Sequence, residues 1–86
     1  MTEISLSHHA LSLKPGIYRH YKGKKYRLIG VALHTETLEE LAVYQALYGK
    51  NLIWARPLKM FLETVTIGKE TKPRFKFRSL DNSKRV

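Results

Sequence analysis

The chain has no cysteine. No disulfide can staple the fold, no thiolate can bind a metal or attack a substrate, and no redox compartment is indicated. Acidic residues are scarce: seven Asp and Glu stand against sixteen Lys and Arg, which leaves a net charge of +9. Such a balance draws a chain towards polyanions, nucleic acid among them. Long apolar runs are missing as well, and none approaches the roughly 20 residues of a membrane span. The opening Met1-Thr2-Glu3-Ile4-Ser5-Leu6-Ser7-His8-His9 lacks both the basic start and the unbroken apolar stretch of a secretory signal. The expectation is a cytoplasmic protein with no membrane partner.

With 86 residues, one small core is expected, with little stability to spare. The chain is expected to divide into a loosely ordered leader over 1–13, a single β-rich domain over 14–77 and a basic flexible tail over 78–86. Residues 69–86 hold seven of the cations and two of the acids, so more than half of the excess charge lies towards the C-terminus. A tail of this kind can serve solubility alone.

Within the domain, Lys14-Pro15-Gly16 is a turn signal before Ile17-Tyr18-Arg19-His20-Tyr21, which reads as a strand. Lys22-Gly23-Lys24 is a tight connection to a long extended run from Lys25 to His34. Apolar residues occupy both phases of that run, and a bulge or bend at Gly30 accounts for this. Residues 38–48 fit two patterns. Thr37-Leu38-Glu39-Glu40 is a capping box that opens a helix of good propensity. With period two, residues 41–48 form a strand that turns at Gly49-Lys50-Asn51 into Leu52-Ile53-Trp54-Ala55-Arg56. The neighbouring runs need pairing partners, which favours the hairpin. Pro57 ends that strand, residues 58–62 suit a single helical turn, and Glu63 to Ile67 form a short strand. Pro73-Arg74-Phe75-Lys76-Phe77 alternates basic and aromatic residues, as an edge strand or a flexible arm. The fold class predicted is mainly β: a small SH3-like barrel of five or six short strands with one short helical turn.

Gly16-Ile17-Tyr18-Arg19-His20-Tyr21-Lys22-Gly23, Tyr26 and His34-Thr35-Glu36-Thr37 resemble a small bacterial family catalogued as a domain of unknown function, number 1653. The resemblance continues through residues 43–49, Trp54-Ala55-Arg56-Pro57-Leu58, Met60-Phe61 and Pro73-Arg74-Phe75. It implies a compact β-rich domain in which residues 41–48 are strand, and it implies no activity. Leu52 stands where the resemblance leads one to expect Gly.

Two constellations are candidates for function. His34-Thr35-Glu36-Thr37 clusters polar side chains at a strand end, and with Arg19 or Arg56 they could bind a small polar ligand or a base edge. The plainer alternative is turn chemistry, with these side chains satisfying backbone groups. The second is the interleaving of aromatic and basic residues on neighbouring strands, which suits single-stranded nucleic acid stacked beside cations. Its plainer alternative is core packing. The expected binding set is Arg19, Tyr21, His34, Thr35, Glu36, Tyr44, Gln45, Trp54 and Arg56. The four histidines have no metal-ligand spacing, and no Ser sits in an elbow-like Gly context. No metal, cofactor or catalytic residue is therefore expected. The function expected is a non-enzymatic module that binds RNA or single strands through a basic-aromatic barrel face. The alternatives are a protein-interaction module for an extended peptide or partner domain, and a small-ligand site around His34, Glu36 and Arg56.

Overall fold

A computed structural model describes residues 5–80. A short helix, α1 (His8–Ser12), precedes strands β1 (Gly16–His20), β2 (Lys25–Leu33), β3 (Glu40–Ala46) and β4 (Ile53–Pro57). One helical turn, α2 (Leu58–Phe61), leads to β5 (Thr64–Ile67), β6 (Glu70–Pro73) and β7 (Phe75–Ser79). Five strands form an antiparallel sheet in the order β4-β3-β2-β1-β7, and β5 and β6 form a separate hairpin. The domain is mainly β, but the sheet does not close into a barrel: β4 and β7 are its two edges.

Residues 40–46 are strand, which settles the helix-or-hairpin alternative. Both neighbours of β3 supply full ladders, and burial alternates strictly along it, with Ala42, Tyr44 and Ala46 buried. Tertiary pairing overrides a local helical preference here. The β3–β4 turn places positive φ on Gly49 (58°) and Asn51 (55°), both residue types that tolerate it. Leu52 avoids it, so the departure at that position carries no backbone strain.

The bend in β2 falls one residue before the expected Gly30. Leu28 pairs with Tyr44 and Gly30 with Val43, so Ile29 is the extra residue of a bulge. Tyr26 and Leu28 face the core before it, and Val31 packs against the core after it. That phase change explains why apolar residues occupy both registers of the run.

The core joins Tyr18, Leu28, Ala42, Tyr44, Leu58, Phe61 and Phe75 on one face of the sheet. Phe61, from α2, stacks on Phe75 with ring centroids 4.4 Å apart and 13° between planes. Tyr18 and Tyr44 pack edgewise or tilted against Phe61 at 5.3 and 5.5 Å. Gly16 is where β7 comes closest: a Cβ there would lie 2.3 Å from the Ser79 carbonyl oxygen, and φ is +147°.

Two segments expected to be loose carry regular structure. Residues 8–12, within the expected leader, form α1, and Ala10 lies in the core. Ser7 caps that helix, its Oγ accepting from the Ala10 N–H at 3.1 Å. The Ser7 N–H and Oγ–H both donate to the Glu40 carboxylate at 2.6 Å, and these bonds hold that carboxyl below its usual pKa. At the other end, Arg78 and Ser79, within the expected tail, belong to β7. Residues 1–4 of the leader and 81–86 of the tail lie outside the described residues.

Candidate nucleic-acid interface

Strand alternation sends Tyr18 into the core and Arg19 to the opposite, solvent-facing side. There Arg19 stands directly across from Lys25 on β2 and Lys76 on β7. Like charges directly opposite one another destabilise a sheet, so stability does not account for this row.

The β5–β6 hairpin lies beside the row. It turns through Gly68-Lys69, with Gly68 at φ 63° and Ile67 paired with Glu70. Its far end is tied down twice. The Arg74 N–H donates to the Glu63 carbonyl at 2.9 Å, and the Arg74 side chain meets the Glu63 carboxylate at 3.6 Å. The Tyr21 N–H donates to the Arg74 carbonyl at 3.0 Å, fixing the end of β1 against the β6–β7 link.

Between these elements lies a cleft of about 470 Å³ lined by Arg19, His20, Tyr21, Thr71, Lys72, Pro73, Lys76 and Arg78. Four Arg and Lys side chains reach it from β1, β6 and β7, and among the described residues no carboxylate lines it. The Tyr21 and His20 rings lie 4.5 Å apart with 33° between planes, giving the cleft an aromatic wall. Burial lowers the His20 pKa, helped by the positive charges of Arg74, Arg56 and Lys22. At neutral pH the charge of the cleft therefore comes from Arg and Lys alone.

Of the residues expected at a binding face, only Arg19 and Tyr21 line this cleft. His34, Thr35 and Glu36 form the β2–β3 turn. There the His34 Nδ1 accepts the Glu36 and Thr37 N–H groups at 3.1 and 3.3 Å, and the Leu38 N–H donates to the His34 carbonyl at 2.8 Å. Tyr44 is a core residue, not a stacking platform: it is 4% exposed and packed against Tyr26, Phe61 and Phe75. Its hydroxyl accepts from Arg56 Nε at 3.2 Å, and the Arg56 guanidinium lies 5.9 Å from the Phe75 ring centroid. Gln45 stays within the sheet, accepting from Arg27 Nη1 at 3.4 Å and donating to the Asn51 carbonyl at 3.1 Å. Trp54 is exposed, but on β4, the opposite edge of the sheet.

Lys72, Lys76 and Arg78 were not expected at the site. The signal for them lies in Lys72, Arg74, Lys76 and Arg78, cations at every second position with Phe75 and Phe77 between them. Within β7 this alternation puts Phe75 and Phe77 against the core and Lys76 and Arg78 on the other face, while Lys72 belongs to β6 and Arg74 pairs with Glu63. A second cavity, of about 400 Å³, lies between α1, the start of β3 and α2. Glu39 and Glu40 line it, which makes it unsuited to phosphate. Neither of these two cavities is lined by His34, Glu36 or Arg56. No helix among the described residues is long and apolar enough to cross a membrane.

These features define a small β domain with a concentrated basic cleft at one sheet edge. The chain belongs to the DUF1653 family, described as proteins of unknown function, whose model matches residues 16–77. It is similar to a solved protein of that family from Bordetella bronchiseptica, with 37% sequence identity and a TM-score of 0.76. The likeness covers 83% of this chain and 94% of the other. No curated protein matches.

Proposed function

We propose that the domain is a non-enzymatic module for single-stranded nucleic acid, RNA foremost, which it holds in the cleft between β1, β7 and the β5–β6 hairpin. The observation that carries this reading is the row Lys25–Arg19–Lys76, cations set directly opposite one another in adjacent strands. A phosphate backbone relieves the mutual repulsion that this arrangement builds in. Lys72 and Arg78 extend the track, while Tyr21 and His20 offer a ring surface for a base. The strand order, with one helical turn after β4, supports reading the sheet as an SH3-like barrel opened between β4 and β7. A cytoplasmic location goes with this function.

The test is an NMR titration of the full chain with short mixed-sequence single-stranded RNA, at low and at near-physiological salt. Shifts should concentrate on Arg19, Tyr21, Lys72, Lys76 and Arg78 and survive the higher salt. Replacing any one of these cations with Ala should flatten the dependence of log K on log salt by about 0.7. Shifts confined to residues 81–86, erased by salt, would refute the cleft. The protein-interaction alternative rests on a different place, the exposed β4 strand with Ile53 and Trp54.

A further inference from the structure

The edge opposite the cleft is β4, and its ladder fixes which backbone groups are left unpaired. The Ala46 N–H donates to the Leu52 carbonyl at 2.9 Å, which makes these two a hydrogen-bonded pair. Hydrogen-bonded and non-hydrogen-bonded pairs alternate along an antiparallel ladder. In the observed register, Leu52 therefore directs its C=O, and Trp54 and Arg56 their N–H and C=O groups, to β3. Those of Ile53 and Ala55 point away from the sheet. The outward row is short. Pro57 has no N–H to continue it, and Asn51, at φ 55°, turns the chain away before it begins.

The side chains around this row are apolar. Leu52 is 55% exposed, Ile53 62% and Trp54 49%. Sheet edges are usually guarded by charged residues, bulges or a covering element. Here Pro57 trims one end, and among the described residues nothing pairs with the outward donors and acceptors of the rest.

We propose that β4 is a self-association edge, on which a second copy of this chain pairs antiparallel about a two-fold axis at Trp54, joining two five-stranded sheets into one. The occupant follows from self-complementarity. Pairing about Trp54 sets Ile53 of each copy opposite Ala55 of the other, so every outward N–H and C=O of the two rows finds a partner. Trp54 then faces Trp54 across a non-hydrogen-bonded pair, the position where facing side chains come closest and aromatic pairs contribute most. Leu52 faces Arg56, so the one charged side chain of the strand meets an aliphatic group and not its own copy. Arg56 is moreover turned inward, onto the Tyr44 hydroxyl and the Phe75 ring. A nucleic acid finds no cation track on this edge, and a longer peptide gains nothing past Pro57. The cations of the cleft belong to β1, β6 and β7 and none to β4. A pair of five-residue strands is smaller than the ~800 Å² per partner of a standard interface, so the dimer is reversible and forms with rising concentration.

The experiment is sedimentation velocity with amide hydrogen exchange on the full chain, from about 10 μM to about 1 mM, the range in which a contact of this size is populated. A monomer–dimer equilibrium is expected, with exchange at the Ile53 and Ala55 amides slowing at least tenfold as dimer accumulates. Emission from Trp54, the one tryptophan, should shift to the blue in step. Ala55→Pro removes an outward N–H without touching the β3 ladder, and Ile53→Lys places a charge on an exposed site. Both should keep the native NMR spectrum and weaken the dimer at least tenfold. A chain that stays monomeric at 1 mM overturns the proposal. So does a dimer that leaves the Ile53 and Ala55 amides unprotected or that survives both substitutions.

Discussion

At one edge of the sheet, β7 carries Lys76 and Arg78 beside Arg19, and its ladder with β1 is broken by a register shift between Ile17 and Tyr18. At the other edge, β4 offers Ile53 and Trp54 in unbroken register with β3, with exposed Leu52 just before it. The first has the features that keep sheets from pairing edge to edge, namely charge and irregularity, while the second has neither along its middle. Two edges of one small sheet thus present different chemistry, and each suits a different occupant: a polyanion at the basic edge, another strand at the apolar one. Three strands lie between the two edges in the sheet, and across the core the Arg56 side chain of β4 reaches the Phe75 ring of β7.

What the edges share is the core, and the largest expected effect comes from removing it. Phe61 is 2% exposed and stacks on Phe75 of β7, while its helical turn follows directly from β4. Phe61→Ala should cost about 3–5 kcal/mol, most of what a domain of this size has to spare. Thermal denaturation should show a chain largely unfolded at room temperature, with RNA binding and self-association lost together. If one edge kept its activity, the two would not depend on a common core.

A smaller and more selective effect is expected at Arg19. Arg19→Glu puts an acid between Lys25 and Lys76, turning two repulsive cross-strand pairs into attractive ones. The melting temperature should rise by a few degrees while RNA affinity falls at least tenfold, as when binding and stability make opposite demands on one site. Association through β4 should be unchanged. A variant that loses stability and affinity together would mean that Arg19 serves the fold, and the comparison of the two edges would lose its basic half.

Strands β1 to β4 were legible in the sequence because each carries its own alternation and its own turn, marked by Gly16, Gly23, Gly49 and Pro57, whereas β7 was open between an edge strand and a flexible arm. The bend in β2 was legible to within one residue, since the phase change is visible but the residue that bulges is set by pairing with β3. The openness of the sheet was not legible, because closure depends on how β4 and β7 approach each other, which no local pattern records. Nor was the division of the aromatics. Tyr44 and Trp54 are directly opposite in the ladder, yet Tyr44 is covered by α2 and β7 while Trp54, on the outermost strand, is not. The His34 turn was legible in its plainer alternative, since a His followed by Thr-Glu-Thr suits a side chain accepting backbone N–H groups. The basic cleft is not legible as a unit, because its cations come from three strands and two of them, Lys76 and Arg78, fall in the expected arm and tail. Only the period-two pattern over residues 75–78 points to one face of a single strand.

The smallest expected effect is on pH, and it separates the edges again. His20 lines the cleft with its ring 5.0 Å from Phe75 and 6.4 Å from Tyr26. Burial, then the charges of Arg74, Arg56 and Lys22, lower its pKa from 6.5. The unfolded chain therefore takes up this proton at a higher pH than the folded one. The stability that neutral His20 contributes is fully present above pH 6.5 and is lost as pH falls through the lowered folded value. Bound RNA acts in the opposite direction, because phosphates in the cleft favour the protonated ring. The His20 pKa should therefore rise on RNA binding, and by linkage the affinity for RNA should increase as the solution is taken below pH 6.5. Self-association through β4, whose outward residues Ile53 and Ala55 do not titrate, should stay level over the same range. The check is the His20 ring proton shift followed by NMR against pH, with and without RNA. A midpoint that RNA leaves where it was would place the bound phosphates away from His20 and move the binding track out along Lys76 and Arg78.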